Sequence, residues 1–227
     1  MTFDAADAAL VIGALALYLY DSAMLLYADE IVLTRGRRGW CVSSGSGYTL
    51  DRRFPVLGQP WAPWRPQFRE RWDRTAVAEA PRDDAAFYSA LRPLQWASAL
   101  QFVWLFAALP AVLFLRAPIE TLLVLAIAVY ATSGAAVAFA VGQRDRLGLT
   151  KRALLTFATD VLACPPFAIN AARKACLARG LQTEVQAFLA SHLRPEERVQ
   201  VARVIRTRLH GGGEAAAASQ SEPGPQP

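Results

Sequence analysis

Two acids of this chain lie where acids are costly. Asp21 falls inside the apolar run 8–28, and Asp160 inside the apolar stretch 153–172. A charged side chain in the middle of a bilayer costs roughly 2.5–3.5 kcal/mol on insertion scales, so such residues face protein or water and take a partner. Two carboxylates at depth could form an ion or proton site, which makes Asp21 and Asp160 the candidate site residues. On the plainer reading both are structural. Ser22, and Tyr18 one turn earlier, stand close enough to hydrogen-bond Asp21. Asp29 and Glu30 precede Arg35, Arg37 and Arg38, a spacing that reads as a local ion-pair cluster.

Other reactive side chains are few. Cys41, Cys164 and Cys176 include no close CxxC pair, and three is a poor number for a disulfide framework. Cys164 precedes Pro165-Pro166 and reads as a small residue beside a kink. His192 and His210 are the only histidines, and with cysteines so scattered they build no usual zinc site. GxSxG, HExxH and the P-loop are all missing. Ser43-Ser44-Gly45-Ser46-Gly47 could cradle a phosphate, but no Lys-Ser/Thr follows, and it reads as a turn. No catalytic residue, cofactor or metal is expected, and the chain reads as non-enzymatic.

The elements that must position Asp21 and Asp160 are apolar. Runs 8–28, 97–115 and 121–142 carry between them one charged residue, Asp21. About 20 helical residues cross a hydrocarbon layer of about 30 Å, so each run suits a transmembrane helix. The first is too long for a signal-peptide core and lacks a basic leader, so it is expected to remain as an anchor. Pro110 should bend the second. In the third, Gly134, Ala138 and Gly142 recur every four residues, a spacing that lets helix backbones approach closely. The partner there is either a neighbouring helix of the chain or another subunit. Stretch 153–172 holds Asp160, Pro165-Pro166 and Asn170 between basic flanks. A kinked re-entrant or interfacial segment suits it better than a fourth crossing.

Charge sets the orientation. The formal charge is +5, and arginine outnumbers lysine 22 to 2. Abundant alanine and arginine point to a GC-rich bacterial source. Eleven arginines fall in 34–95, three of them directly after the first span. Cytoplasmic flanks are rich in Lys and Arg. The N-terminus is therefore expected in the periplasm and the C-terminus in the cytoplasm of the inner membrane. Within 34–95, residues 40–42 and 48–50 flank the Ser/Gly turn as a β-hairpin. Trp61, Trp64 and Trp72 with Arg37 and Arg38 suit a lipid interface, anionic lipid included; alternatively the tryptophans form the core of a small β-rich subdomain. Six acids interrupt the basic residues of 34–95, and no recognition motif accompanies them, which argues against nucleic acid.

The expected fold is a mostly α polytopic membrane protein with three transmembrane helices, a fourth re-entrant or interfacial segment, and a cytoplasmic loop with a β-hairpin. Its parts are an N-terminal helix (1–33), the Arg/Trp/Pro-rich loop (34–95), a helical hairpin (96–142), the Pro-kinked segment (143–180), amphipathic helices (181–210) and a disordered tail (211–227). The leading functional expectation is a scaffold, accessory or regulatory subunit of a membrane complex, partnered by the bilayer and by another membrane protein or a second copy. A small oligomeric transporter or channel using Asp21 is the alternative, and a lipid-modifying membrane enzyme the second.

Overall fold

The computed structural model describes residues 5–37, 39–73 and 84–220, with side chains as far as 209. The chain forms two compact units. The first is drawn from 1–23, 57–67 and 82–180, the second from 24–56, 68–81 and 181–227.

The first unit is helical. Three of its helices are long and apolar enough to cross a membrane: α1 (Ala5–Ser22), the continuous helix Asp84–Phe114, and α4 (Ile119–Gly142). Their apolar residues largely face outward, with Leu10, Ile12, Leu15, Leu123, Val124 and Ile127 all exposed. Soluble monomers rarely expose so much contiguous apolar surface. Asp84–Phe114 contains α2 (Asp84–Val103), a wider π turn (Trp104–Ala108) and α3 (Leu109–Phe114). The Leu109 amide donates to the Trp104 carbonyl, five residues back. Pro110 explains the widening, because its ring crowds the carbonyl four residues earlier and it has no N–H of its own.

Two expectations change here. The first apolar run does not stay helical to 28: α1 ends at Ser22, and β1 (Ala23–Leu26) follows. Asp21 is therefore in the last turn of α1 rather than near its middle. Stretch 153–172 is broken into pieces. After the short α5 (Arg144–Leu147), α6 (Lys151–Ala163) starts on Thr150, whose Oγ1 accepts the Ala153 amide at 3.1 Å. It stops at Cys164, which is extended at φ −135° because a residue before proline is pushed out of the helical region. The short α7 (Pro165–Ala168) and α8 (Ala171–Arg179) come next. At 13 residues, α6 is shorter than a crossing needs. The α7 turn packs against α1, α2 and α4 together. Ile169, just after it, joins a core with Tyr18, Leu105, Leu109, Leu125 and Val129.

The second unit is mixed. β2 (Glu30–Arg35) lies between β3 (Trp40–Ser43) and β5 (Gln67–Arg71), and β1 pairs with β4 (Phe54–Leu57). The β2–β3 pair is antiparallel, from Val32 opposite Ser43 to Arg35 opposite Trp40. The hairpin is thus one strand earlier than expected: β3 pairs backward with β2, not forward with 48–50. Ile31, Val32, Leu33 and Thr34 are all buried, so β2 is covered on both faces and is the natural central strand. Its hairpin closes through Gly36–Gly39, where Gly39 takes φ +135°, a region that favours glycine. Phe68 of β5 is buried in this unit, as are Val185 and Leu189 of α9 (Val185–His192) and Ile205 of α10 (Pro195–Gln220). Trp40 packs edge-on to Phe188 at 5.0 Å. The helical backbone continues to Gln220, over residues expected to be irregular. Ala215–Ala218 have the highest helix propensity and carry it on. Residues 221–227 of that tail lie outside the described residues.

Candidate functional site

The Pro165-Pro166 turn reverses the chain and brings the last turn of α6 to the first turns of α8, against the end of α1. Lys174 sits at the junction. Its Nζ is 2.9 Å from Asp21 Oδ1 and 2.7 Å from Asp160 Oδ2, and 4.9 Å from the Phe167 ring centroid. Both expected site acids therefore meet, through a lysine. Asn170, the residue before α8, donates from Nδ2 to Asp21 Oδ2 at 2.7 Å and to Ser22 Oγ at 3.3 Å. Arg173 donates to the backbone carbonyls of Asp21 at 2.7 Å and Ser22 at 3.2 Å. The last carbonyls of a helix lack internal partners and carry the negative end of its dipole, so this guanidinium caps α1.

Burial makes the arrangement consequential. The side chains of Asp21, Lys174 and Asp160 are 13%, 17% and 36% exposed. Arg173 is buried, and that burial pushes its pKa below the usual arginine value, with nearby Asp21 acting in the opposite direction. Two carboxylates face one ammonium and one guanidinium, so the cluster is balanced in charge. Segment 57–67 completes it. The Gly58 amide donates to the Ser22 carbonyl at 3.1 Å, and a Cβ at Gly58 would collide with the Arg173 guanidinium. Tyr18 donates to the Pro60 carbonyl at 2.6 Å. Gln95 donates to the Trp64 carbonyl at 2.9 Å, and the Trp64 ring meets Phe102 edge-on.

The remaining candidates among the described residues do not join this cluster. Trp61 is 82% exposed beside the end of α1, and Trp64 is half-buried. Trp72 is half-buried in the second unit, where its carbonyl accepts from Gln186. Arg37 is exposed, and Arg38 lies outside the described residues. Gly134 is half-exposed, and Ala138 and Gly142 are exposed. A Cβ on either glycine would meet nothing within 4 Å among the described residues. Packing of α4 within the chain instead follows Leu125, Val129, Ser133, Ala136 and Ala140. A close contact at Gly134, Ala138 and Gly142 would therefore need a partner other than the described residues. Asp29 and Glu30 have ion-pair partners that the sequence reading did not name. They meet Arg71 at 2.6 Å and Arg69 at 2.5 Å, both on β5.

Lys174, Arg173 and Asn170 are the residues that spacing alone did not join to the acids. One signal was available: Lys174 is one of two lysines in the chain and follows a double proline. Nothing in the sequence marks Gly58. Near the cluster, an apolar cavity of about 600 Å³ runs between α1, α4 and the π turn region as far as Pro165 and Pro166. Among the described residues, no group of three His, Cys, Asp or Glu could hold a metal. The site is thus a charge-balanced polar junction at the end of a membrane-length helix, beside an apolar groove. No protein family, curated protein or solved structure matches this chain.

Proposed function

We propose that this is a multi-pass protein of a bacterial inner membrane, N-terminus in the periplasm and C-terminus in the cytoplasm, acting as a non-enzymatic scaffold, accessory or regulatory subunit of a membrane complex. Lys174 carries the reading. By neutralising Asp21 and Asp160 from inside the chain, it makes them a clamp that joins α1, α6 and α8. A carboxylate pair already holding a tethered cation is a poor site for a second one. The α7 turn, packed against three membrane-length helices, fits a re-entrant segment. Trp61 fits a headgroup anchor, and the open face of Gly134, Ala138 and Gly142 fits contact with a partner or a second copy. The test is purification in mild detergent with identification of co-purifying proteins. A membrane protein retained in fixed stoichiometry, or a defined homo-oligomer, is the expected result. A monomer without partners would overturn the proposal.

One observation favours the transport alternative. Asn170 Oδ1 and Gln101 Oε1 are buried without a partner among the described residues, and Gln101 Nε2 donates to the Pro165 carbonyl at 3.2 Å. Buried oxygens of this kind are commonly met by internal water. Proteoliposome flux abolished by Asp21→Asn would support this second reading, and flux indifferent to it would end it.

A further inference from the structure

We propose that the second unit binds an organic phosphate in the cleft where Arg52, Arg71 and Arg208 converge. The cleft encloses about 980 Å³. That volume suits an organic ligand and is far more than a bare phosphate needs.

Each guanidinium is held by a different device. Arg208 of α10 stacks over the Phe54 ring at 3.6 Å and donates to the carbonyls of Ser44 and, at 3.2 Å, Ser46. The Ser/Gly loop therefore turns carbonyls, not amides, toward the cleft side chain. It positions an arginine and is not itself a phosphate cradle. Its carbonyls are neutral and leave the charge of Arg208 unmatched, while burial pushes the Arg208 pKa below the usual arginine value. Arg52 is presented by strain. Leu50 and Arg53 exchange backbone bonds of 2.8 and 3.0 Å across a two-residue turn, in which Asp51 and Arg52 take φ +50° and +59°. Non-glycine residues avoid that region, and strain of this kind collects at functional positions. Among the described residues the exposed Arg52 side chain has neither an ion pair nor a hydrogen bond. Arg71 completes the set.

The two acids on the cleft do not cancel this charge. Asp29 is matched by Arg71 and Glu30 by Arg69, which leaves Arg52 and Arg208 in surplus. Guanidinium forks fit phosphate oxygens two at a time, and Thr49 and Thr207 add hydroxyls to the same wall. A lipid headgroup and a soluble metabolite share this chemistry.

The experiment titrates pyrophosphate by calorimetry into the full chain in phosphatidylcholine nanodiscs. Saturable one-site binding is expected, weakened roughly tenfold by Arg52→Ala, because a charge-assisted bidentate contact is lost. The melting temperature should hold, since Arg52 supports nothing else. Arg146→Ala, an exposed arginine of the first unit, should bind as the unaltered chain does. Repeating the titration with phosphatidylglycerol in the nanodisc separates the sources. A fall in pyrophosphate affinity identifies a headgroup site, and an unchanged affinity identifies a soluble phosphate. Absence of pyrophosphate binding, or binding indifferent to Arg52→Ala, overturns the proposal.

Discussion

Lys174 is the residue on which most depends. Removing one partner of a buried ion pair costs about 3–5 kcal/mol, because the group left behind stays charged and desolvated. Asp160 is more than a third exposed, so screening by water lowers the figure. Lys174→Met should cost about 2–3 kcal/mol, read as a lower melting temperature in detergent, while Asp160→Asn should cost about 1 kcal/mol or less. Equal melting of Lys174→Met and the unaltered chain would mean that the clamp does not form. Gly58→Ala should destabilise the chain, because the new methyl enters the space of Arg173 and comes within 3.0 Å of Gln67 Oε1. Gly13→Ala, with nothing within 4 Å of its Cβ, should be neutral or stabilising by up to about 1 kcal/mol, as alanine is the better helix former. Cysteine reactivity gives a pH-dependent check. Burial pushes the Cys176 thiol up to about 12, against the opposing pull of the Gln67 backbone bond and the Arg179 charge. The native state thus favours the neutral thiol. Its contribution to stability is full below the unfolded thiol pKa of about 8.5 and is lost as pH rises toward 12. Near neutral pH, maleimide should label the exposed Cys41 and reach Cys176 only after denaturation.

At the scale of elements, local rules carried the long helices and failed where pairing is non-local. Hydrophobic length located α2–α3 and α4, and Pro110 marked the place where the helix widens. Within the region 181–210 expected to be amphipathic and helical, Val185 and Leu189 form the buried face of α9. The hairpin was misplaced because Trp40–Ser43 has strand-like neighbours on both sides, and periodicity does not say which one pairs. The burial of β2 on both faces decides it. Residues 23–28 were assigned to the first span because Met24, Leu25 and Leu26 are as apolar as a helix core, yet they form a strand and Leu26 is fully buried in the second unit. The small-residue face of α4 separates contact within the chain from contact between chains. Ala140→Leu, at a fully buried position, should misfold the monomer. Gly134→Leu should leave the monomer folded and reduce the oligomer seen by size-exclusion with light scattering. If oligomer size and melting are both unchanged, that face meets lipid alone.

The two units of the whole molecule interleave along the chain, and each takes three separate segments. A linear reading treats 34–95 as one insertion and divides the rest in order, so it cannot see that 57–67 belongs with the helices while 24–56 and 181 onward belong together. The candidate site suffers for the same reason. Its acids were visible as anomalies in apolar sequence, but their cation lies about 150 residues from Asp21, and only the fold joins them. Orientation is a property of the whole chain and is open to direct measurement. An alkaline-phosphatase reporter fused after Pro227 should be inactive, and one fused ahead of α1 should face the periplasm. Activity after Pro227 would count against the three-crossing arrangement and, with the N-terminal reporter also periplasmic, support a fourth crossing through Pro165-Pro166.

The distance in sequence between Asp21 and Lys174 also imposes an order of events on synthesis. At translation rates of about 5–20 residues per second, the lysine emerges on the order of 10–30 s after the acid. For that interval the newborn first helix carries a carboxylate with no counter-charge and uncapped terminal carbonyls. The Gly58 amide reaches the Ser22 carbonyl first, but the Asp21 carboxylate and carbonyl gain their cations only when α8 arrives with Lys174 and Arg173 side by side. A chain truncated before α8 should therefore hold its first helix less firmly than the full chain does, read as a lower melting temperature in detergent.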